Sequence, residues 1–171
     1  VIAAERETMG AYLLQTSTIV PLDVRQVFDF FGDARNLDRI TPPWLHFEIT
    51  TEGPFAMRPG SHLEYRIRLH GIPIKWLTEI TEWNPPQRFV DEQRRGPYHW
   101  WHHTHTFTPV DGGTQVDDHV HYSPRGGAII HALLVKRDLR AIFRYRDMAL
   151  REALGVPPAT SPLRVKIARA K

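Results

Sequence analysis

The chain has 171 residues, 42% of them hydrophobic and 24% charged. That is the ordinary balance of one globular domain with a substantial core. Cysteine is absent, which excludes disulfides, thiolate metal ligands and a cysteine nucleophile and leads us to expect a cytoplasmic protein. No apolar run reaches the ~18 residues a transmembrane helix needs, and the first residues lack a basic-then-apolar signal pattern. The net charge is only +3, but cations gather late, from Lys136, Arg137 and Arg140 through Arg151 to Arg164, Lys166 and Arg169. Such a basic face suits either solvent or an acidic partner. No nucleic-acid recognition motif accompanies it, so no nucleic acid is expected.

In chain order, residues 1–11 read as a flexible lead-in without sustained apolar periodicity. The β-rich run Tyr12–Val20 ends at Pro21. Val24, Val27, Phe28 and Phe31 then fall at i, i+3, i+4 and i+7, the stripe of a short amphipathic helix stopped by Gly32-Asp33. A second short helix over Ala34–Ile40 ends at Thr41-Pro42-Pro43. Beyond it the period becomes two. Leu63, Tyr65, Ile67 and Leu69 alternate with Glu64, Arg66, Arg68 and His70, which predicts a strand with one buried face. Gly71-Ile72-Pro73, Asn84-Pro85-Pro86, Gly96-Pro97 and Asp111-Gly112-Gly113 separate four further strands, so consecutive strands should pair antiparallel. After Ser123-Pro124-Arg125-Gly126-Gly127 a long helix is predicted from Ala128 to about Leu154, carrying Leu139, Ile142, Phe143 and Leu150 on one stripe. Gly155-Val156-Pro157-Pro158 ends it.

Strands and helices segregated in this way specify an α+β fold. The expected form is a curved antiparallel sheet wrapped around one long C-terminal helix, with two short helices closing one end. Residues 12–155 form the domain, and 156–171 read as a flexible basic tail.

Three phrases, taken in order, resemble a known superfamily: VFDFFGDARNLDRITPPW, then HLEYRIRLHGIPIKWLTEITEWNPPQRFVDEQRRGPYHWWHHTHTF, then GGTQVDDHVHYSP. The chain is similar to the START and birch-pollen-allergen superfamily, called SRPBCC, and in particular to its bacterial ligand-binding "cyclase/dehydrase" branch. The resemblance implies a helix-grip fold holding a small hydrophobic ligand of lipid, polyketide or aromatic type. It implies a carrier or sensor module, with a cyclase- or dehydratase-type enzyme as the alternative, and no cofactor.

The densest chemistry lies in FVDEQRRGPYHWWHHTHTF, residues 89–107. Strand parity puts Trp101, His103, His105 and Phe107 on one face and Trp100, His102, Thr104 and Thr106 on the other. Phe107 and Trp101 anchor the first face inward. By the same reasoning Asp91 and Gln93 point inward, as do Asp118 and Tyr122, while His119 and His121 point out. His103-x-His105 and His119-x-His121 therefore lie on opposite faces, and no metal site is expected. Inward carboxylates and imidazoles are costly unless they partner one another. They can brace the sheet, orient the polar end of a ligand, or act as an acid–base pair. Trp44 follows the prolines where the short helices meet the sheet and is a candidate gate. Tyr65, Trp76 and Phe143 are candidate aromatic walls. Arg146 flanks the helix stripe, where it faces solvent or turns inward toward a carboxylate. The candidate ligand-binding set is thus Trp44, Tyr65, Trp76, Asp91, Gln93, Trp101, His103, His105, Asp118, Tyr122, Phe143 and Arg146, with no residue assigned as catalytic.

Overall fold

The structure, a computed structural model, describes residues 11–51 and 57–170. Strand β1 (Tyr12–Val20) leads into helix α1 (Val24–Gly32), whose start is fixed by a capping box. Asp23 Oδ1 accepts from the Arg25 amide at 2.8 Å, and Gln26 reaches back to the Asp23 amide, which pairs amides the first helical turn leaves without partners. Helix α2 (Asn36–Ile40) and a single 3₁₀ turn (Pro43–Leu45) follow. The sheet continues with β2 (Glu48–Ile49), β3 (His62–Leu69), β4 (Ile72–Asn84), β5 (Arg88–Arg95), β6 (Tyr98–Val110) and β7 (Gly113–Pro124).

Gly126 and Gly127 both adopt positive φ, 89° and 72°, to turn the chain off the sheet, a conformation that costs glycine little. Helix α3 then runs without a break through Gly127–Ile130, one π turn at His131–Val135, and Lys136–Leu154. No helix among the described residues is long and apolar enough to cross a membrane.

All strands, including a last one, β8 (Lys166–Arg169), pair antiparallel in the order β2-β3-β4-β5-β6-β7-β1-β8, with α3 lying in the grip of the sheet. The expected α+β helix-grip architecture is the observed one.

The last strand departs from the sequence reading, which made 156–171 a flexible tail. Strand β8 (Lys166–Arg169) pairs with β1, and Leu163 and Val165 are buried in the core. Two apolar side chains at alternate positions suffice to tie the segment down, because β1 would otherwise expose an unpaired edge. At the other end, residues 1–10 of the lead-in lie outside the described residues. Ala11 is buried, and its carbonyl accepts from the Ala170 amide.

The interior divides into two apolar clusters. One gathers Leu14, Trp76, Trp101, Val120, Tyr122 and Phe143; the other gathers Val20, Phe28, Ile80, Phe89, Phe107 and Leu150. Along β6 the first cluster ends at Trp101 and the second begins at Phe107, with His103 and His105 between them. Along β7 the same gap holds Asp118, along β1 Thr16, and next to Phe89 on β5 it holds Asp91. A polar belt therefore crosses four strands between two apolar cores.

Candidate functional site

Register builds this belt. Asp91 of β5 lies directly opposite His103 of β6, and His105 lies opposite Asp118 of β7, which in turn lies opposite Thr16 of β1. Diagonal neighbours on one face of a sheet are also within reach of long side chains, and here the diagonals make the shortest contacts. His103 Nε2 is 2.9 Å from Asp118 Oδ1, and His105 Nε2 is 2.9 Å from Asp91 Oδ2. The direct pairs are longer: His103 Nδ1 to Asp91 Oδ2 at 3.5 Å and His105 Nδ1 to Asp118 Oδ1 at 3.1 Å. The last is an ion-pair distance without hydrogen-bond alignment. The Thr16 hydroxyl donates to Asp118 Oδ2 at 2.9 Å. Both imidazoles are 3% exposed, their ring centroids are 3.7 Å apart, and His105 stacks on Phe89 at 4.0 Å.

Burial opposes charge on all four groups, and their mutual contacts decide the outcome. For Asp118, burial alone would raise the pKa, but the hydrogen bond from His103 and the adjacent His105 imidazole hold it well below the ordinary carboxylate value. Asp91 is lowered in the same way against its burial, by the charge of His103, by His105 and by Arg146. Burial pulls His105 down, yet the two carboxylates beside it carry it above 6.5. For His103, burial and the charge of His105 act together, and it is lowered.

In front of the belt, between the sheet and α3, lies a cavity of about 190 Å³. Most of its lining is apolar and aromatic, including Leu63, Ile67, Trp76, Trp101, Leu139 and Ile142. Its polar lining includes Asp91, His103, His105, Tyr65, Thr78 and Arg146. Tyr65 and Trp76 stack at 5.7 Å, and Trp101 meets Trp76 edge-on at 5.6 Å. The Trp76 Nε1–H is buried without an acceptor among the described residues, a rare state for an indole donor. Arg146 holds its guanidinium 5.6 Å over the Phe143 ring and makes no ion pair among the described residues.

Eight of the twelve residues expected from sequence line this cavity: Tyr65, Trp76, Asp91, Trp101, His103, His105, Phe143 and Arg146. The other four do not. Trp44 is 52% exposed and packs edge-on against Tyr145, because its 3₁₀ turn points Leu45 inward instead. Gln93 serves the β5–β6 turn: its amide donates to the Tyr98 carbonyl at 2.9 Å. A side chain at Gly96 would collide with it, since a Cβ there would come within 2.3 Å of Gln93 Oε1. Asp118 faces inward as expected but is screened from the cavity by the two imidazoles. Tyr122 is completely buried, and its hydroxyl shares a 2.8 Å hydrogen bond with His131 Nε2. Tyr98 was missed. A register shift between Tyr98 and Trp100 puts it on the same wall as Trp101, three positions away, where parity alone separates them.

Residues 20–151 match the family of "Polyketide cyclase / dehydrase and lipid transport" proteins. The chain belongs to this family. A comparison with curated proteins finds no match. Among solved structures, it is similar to protein CV1439 from Chromobacterium violaceum, with 12% identity, TM-score 0.68, and 85% of this chain and 98% of that one covered. Ara h 8.0201 follows at 17% identity and TM-score 0.60, over 85% and 98% of the two chains. Both share the fold. A nucleoside-diphosphate sugar epimerase from Corynebacterium glutamicum matches at 26% identity and TM-score 0.62, over 82% of this chain but only 29% of that one.

Proposed function

We propose that the chain binds a compact apolar molecule with one polar, anionic end in the cavity between sheet and α3, as a carrier or sensor. The observation that carries this is the cavity itself: an aromatic and aliphatic wall facing a small set of convergent polar groups. Its volume narrows the ligand. An apolar cavity of about 150 Å³ accepts benzene, so about 190 Å³ suits a substituted single ring better than a long acyl chain. Arg146 and the unpartnered Trp76 indole supply donors for the polar end. The exposed apolar residues Ile129, Ile130, Leu133 and Leu134 on the first turns of α3 adjoin Val135 and Leu139 of the cavity wall, which suits a carrier that must admit an apolar cargo.

The second reading, an enzyme of cyclase or dehydratase type, draws on His105 between two carboxylates at the cavity wall. Acid–base work by such a pair would be worth about 10²–10⁴-fold in rate. His105→Gln separates the two: a carrier keeps its ligand with altered affinity, whereas an enzyme binds and stops turning over.

The direct test is native mass spectrometry of gently purified protein beside Ile142→Trp, which fills the cavity. A retained small molecule on the parent chain and none on the variant is expected. A molecule retained equally by both would place it elsewhere and refute the reading.

A further inference from the structure

The polar belt brings one carboxylate and two imidazoles together at the cavity wall. A neutral imidazole has one N–H and one lone pair. Asp118 Oδ1 lies 2.9 Å from His103 Nε2 in hydrogen-bond geometry and 3.1 Å from His105 Nδ1 at ion-pair distance without that alignment. The other nitrogen of each ring, His103 Nδ1 and His105 Nε2, faces the same atom, Asp91 Oδ2, at 3.5 and 2.9 Å. Deprotonated, these two nitrogens and the carboxylate oxygen offer three lone pairs to one point at the cavity wall. One donor atom from each of Asp91, His103 and His105 lies within 4.8 Å of the others.

We propose that Asp91 Oδ2, His103 Nδ1 and His105 Nε2 form a binding site for a divalent transition metal of the zinc–iron(II) class, open toward the cavity. Two imidazole nitrogens and one carboxylate with free positions are the donor set of open zinc centres and of non-haem iron(II) sites. Bonds of about 2.0–2.1 Å in tetrahedral array place ligand atoms about 3.3–3.4 Å apart, and 2.9 and 3.5 Å bracket that spacing. The surroundings are those of a built metal site. Asp118 holds the His103 imidazole from behind by a hydrogen bond and lies 3.1 Å from that of His105, as outer carboxylates orient metal-bound histidines, and Thr16 fixes Asp118 in turn. All three ligands line the cavity, so water or an oxygen of an occupant can complete the coordination. The proposal does not depend on which organic molecule enters.

Sequence parity argued against a metal because it sought four histidines across His103-x-His105 and His119-x-His121. The structure supplies the third ligand from β5 instead, and a carboxylate rather than an imidazole.

The test is titration of chelator-treated protein with Co(II), followed by visible absorption, and with Zn(II), followed by calorimetry. One equivalent should bind, Zn(II) should displace Co(II), and Zn(II) should raise the melting temperature. Asp91→Asn and His105→Gln should each abolish stoichiometric binding, and Asp118→Asn should weaken it about 10–100-fold. Each variant's own cooperative melt shows whether it folds, and a folded variant that no longer gains from Zn(II) supports the site. His102 and His121, paired across the outer face, are the control, and His102→Ala with His121→Ala should leave binding unchanged. No stoichiometric binding by the parent chain would overturn the proposal. So would binding that survives Asp91→Asn and His105→Gln but disappears with the outer histidines.

Discussion

Replacing Asp118 by Asn tests the electrostatics of the belt where they are most concentrated. The substitution keeps the shape and one acceptor oxygen but removes the negative charge facing both imidazoles and Thr16. The Asp118 side chain is 14% exposed and each imidazole side chain 4%, so solvent screens little. Removing one member of a buried pair costs about 3–5 kcal/mol, most of it the stranded partner. In a domain of this size 1 kcal/mol moves the melting temperature by about 2–4 °C. Metal-free Asp118→Asn should therefore melt about 6–20 °C lower. Urea denaturation at pH 7 measures the loss, and a double-mutant cycle with His105→Gln assigns it. With His105 already removed, Asp118→Asn should cost less, leaving a coupling of about 1–3 kcal/mol. A single-variant loss below about 1 kcal/mol, or additive losses in the cycle, would show that the belt is not the coupled network described.

Two further outcomes follow from the same structure. A chain ending at Gly155 loses the burial of Leu163 and Val165, about 1.5–3 kcal/mol each, so its urea midpoint should fall markedly; an unchanged midpoint would return 156–171 to the status of a loose tail. His131 is pushed below 6.5 by burial and by the charge of Lys136. A group lowered on folding contributes stability that is full above 6.5 and lost as pH falls toward its folded value. The parent chain should thus lose more stability between pH 7 and 5 than His131→Gln does, and superimposable pH profiles would refute this.

The inward faces of the belt were legible in the sequence because strand side chains alternate strictly. Trp101 and Phe107 fixed the parity of His103 and His105, and Val116 and Val120 fixed that of Asp118. What alternation cannot supply is register. That Asp91 meets His103, and Asp118 meets His105 and Thr16, depends on how two hairpins and the long-range pairing of β7 with β1 align. Parity also fails at irregularities: the shift between Tyr98 and Trp100 brought Tyr98 to the wall, and the turn at Gly96 drew Gln93 away from it. Trp44 misled because a large aromatic after two prolines suggests a gate, whereas its short turn could bury only one side chain and buried Leu45. Strand β8 went unread because Leu163, Val165 and Ile167 alternate over too few residues, shortly after the helix end that Pro157-Pro158 marks.

The central claim is that the cavity under α3 is a binding site for a compact apolar acid. Methyl-detected NMR of the protein titrated with benzoate tests it most directly. Resonances of Leu63, Ile67, Leu139 and Ile142 should shift together and saturate, and Arg146→Gln should weaken binding about 10–100-fold, the worth of a charged hydrogen bond. Shifts confined to the exposed Ile129 and Leu133, or no saturable change at the cavity methyls, would contradict the account.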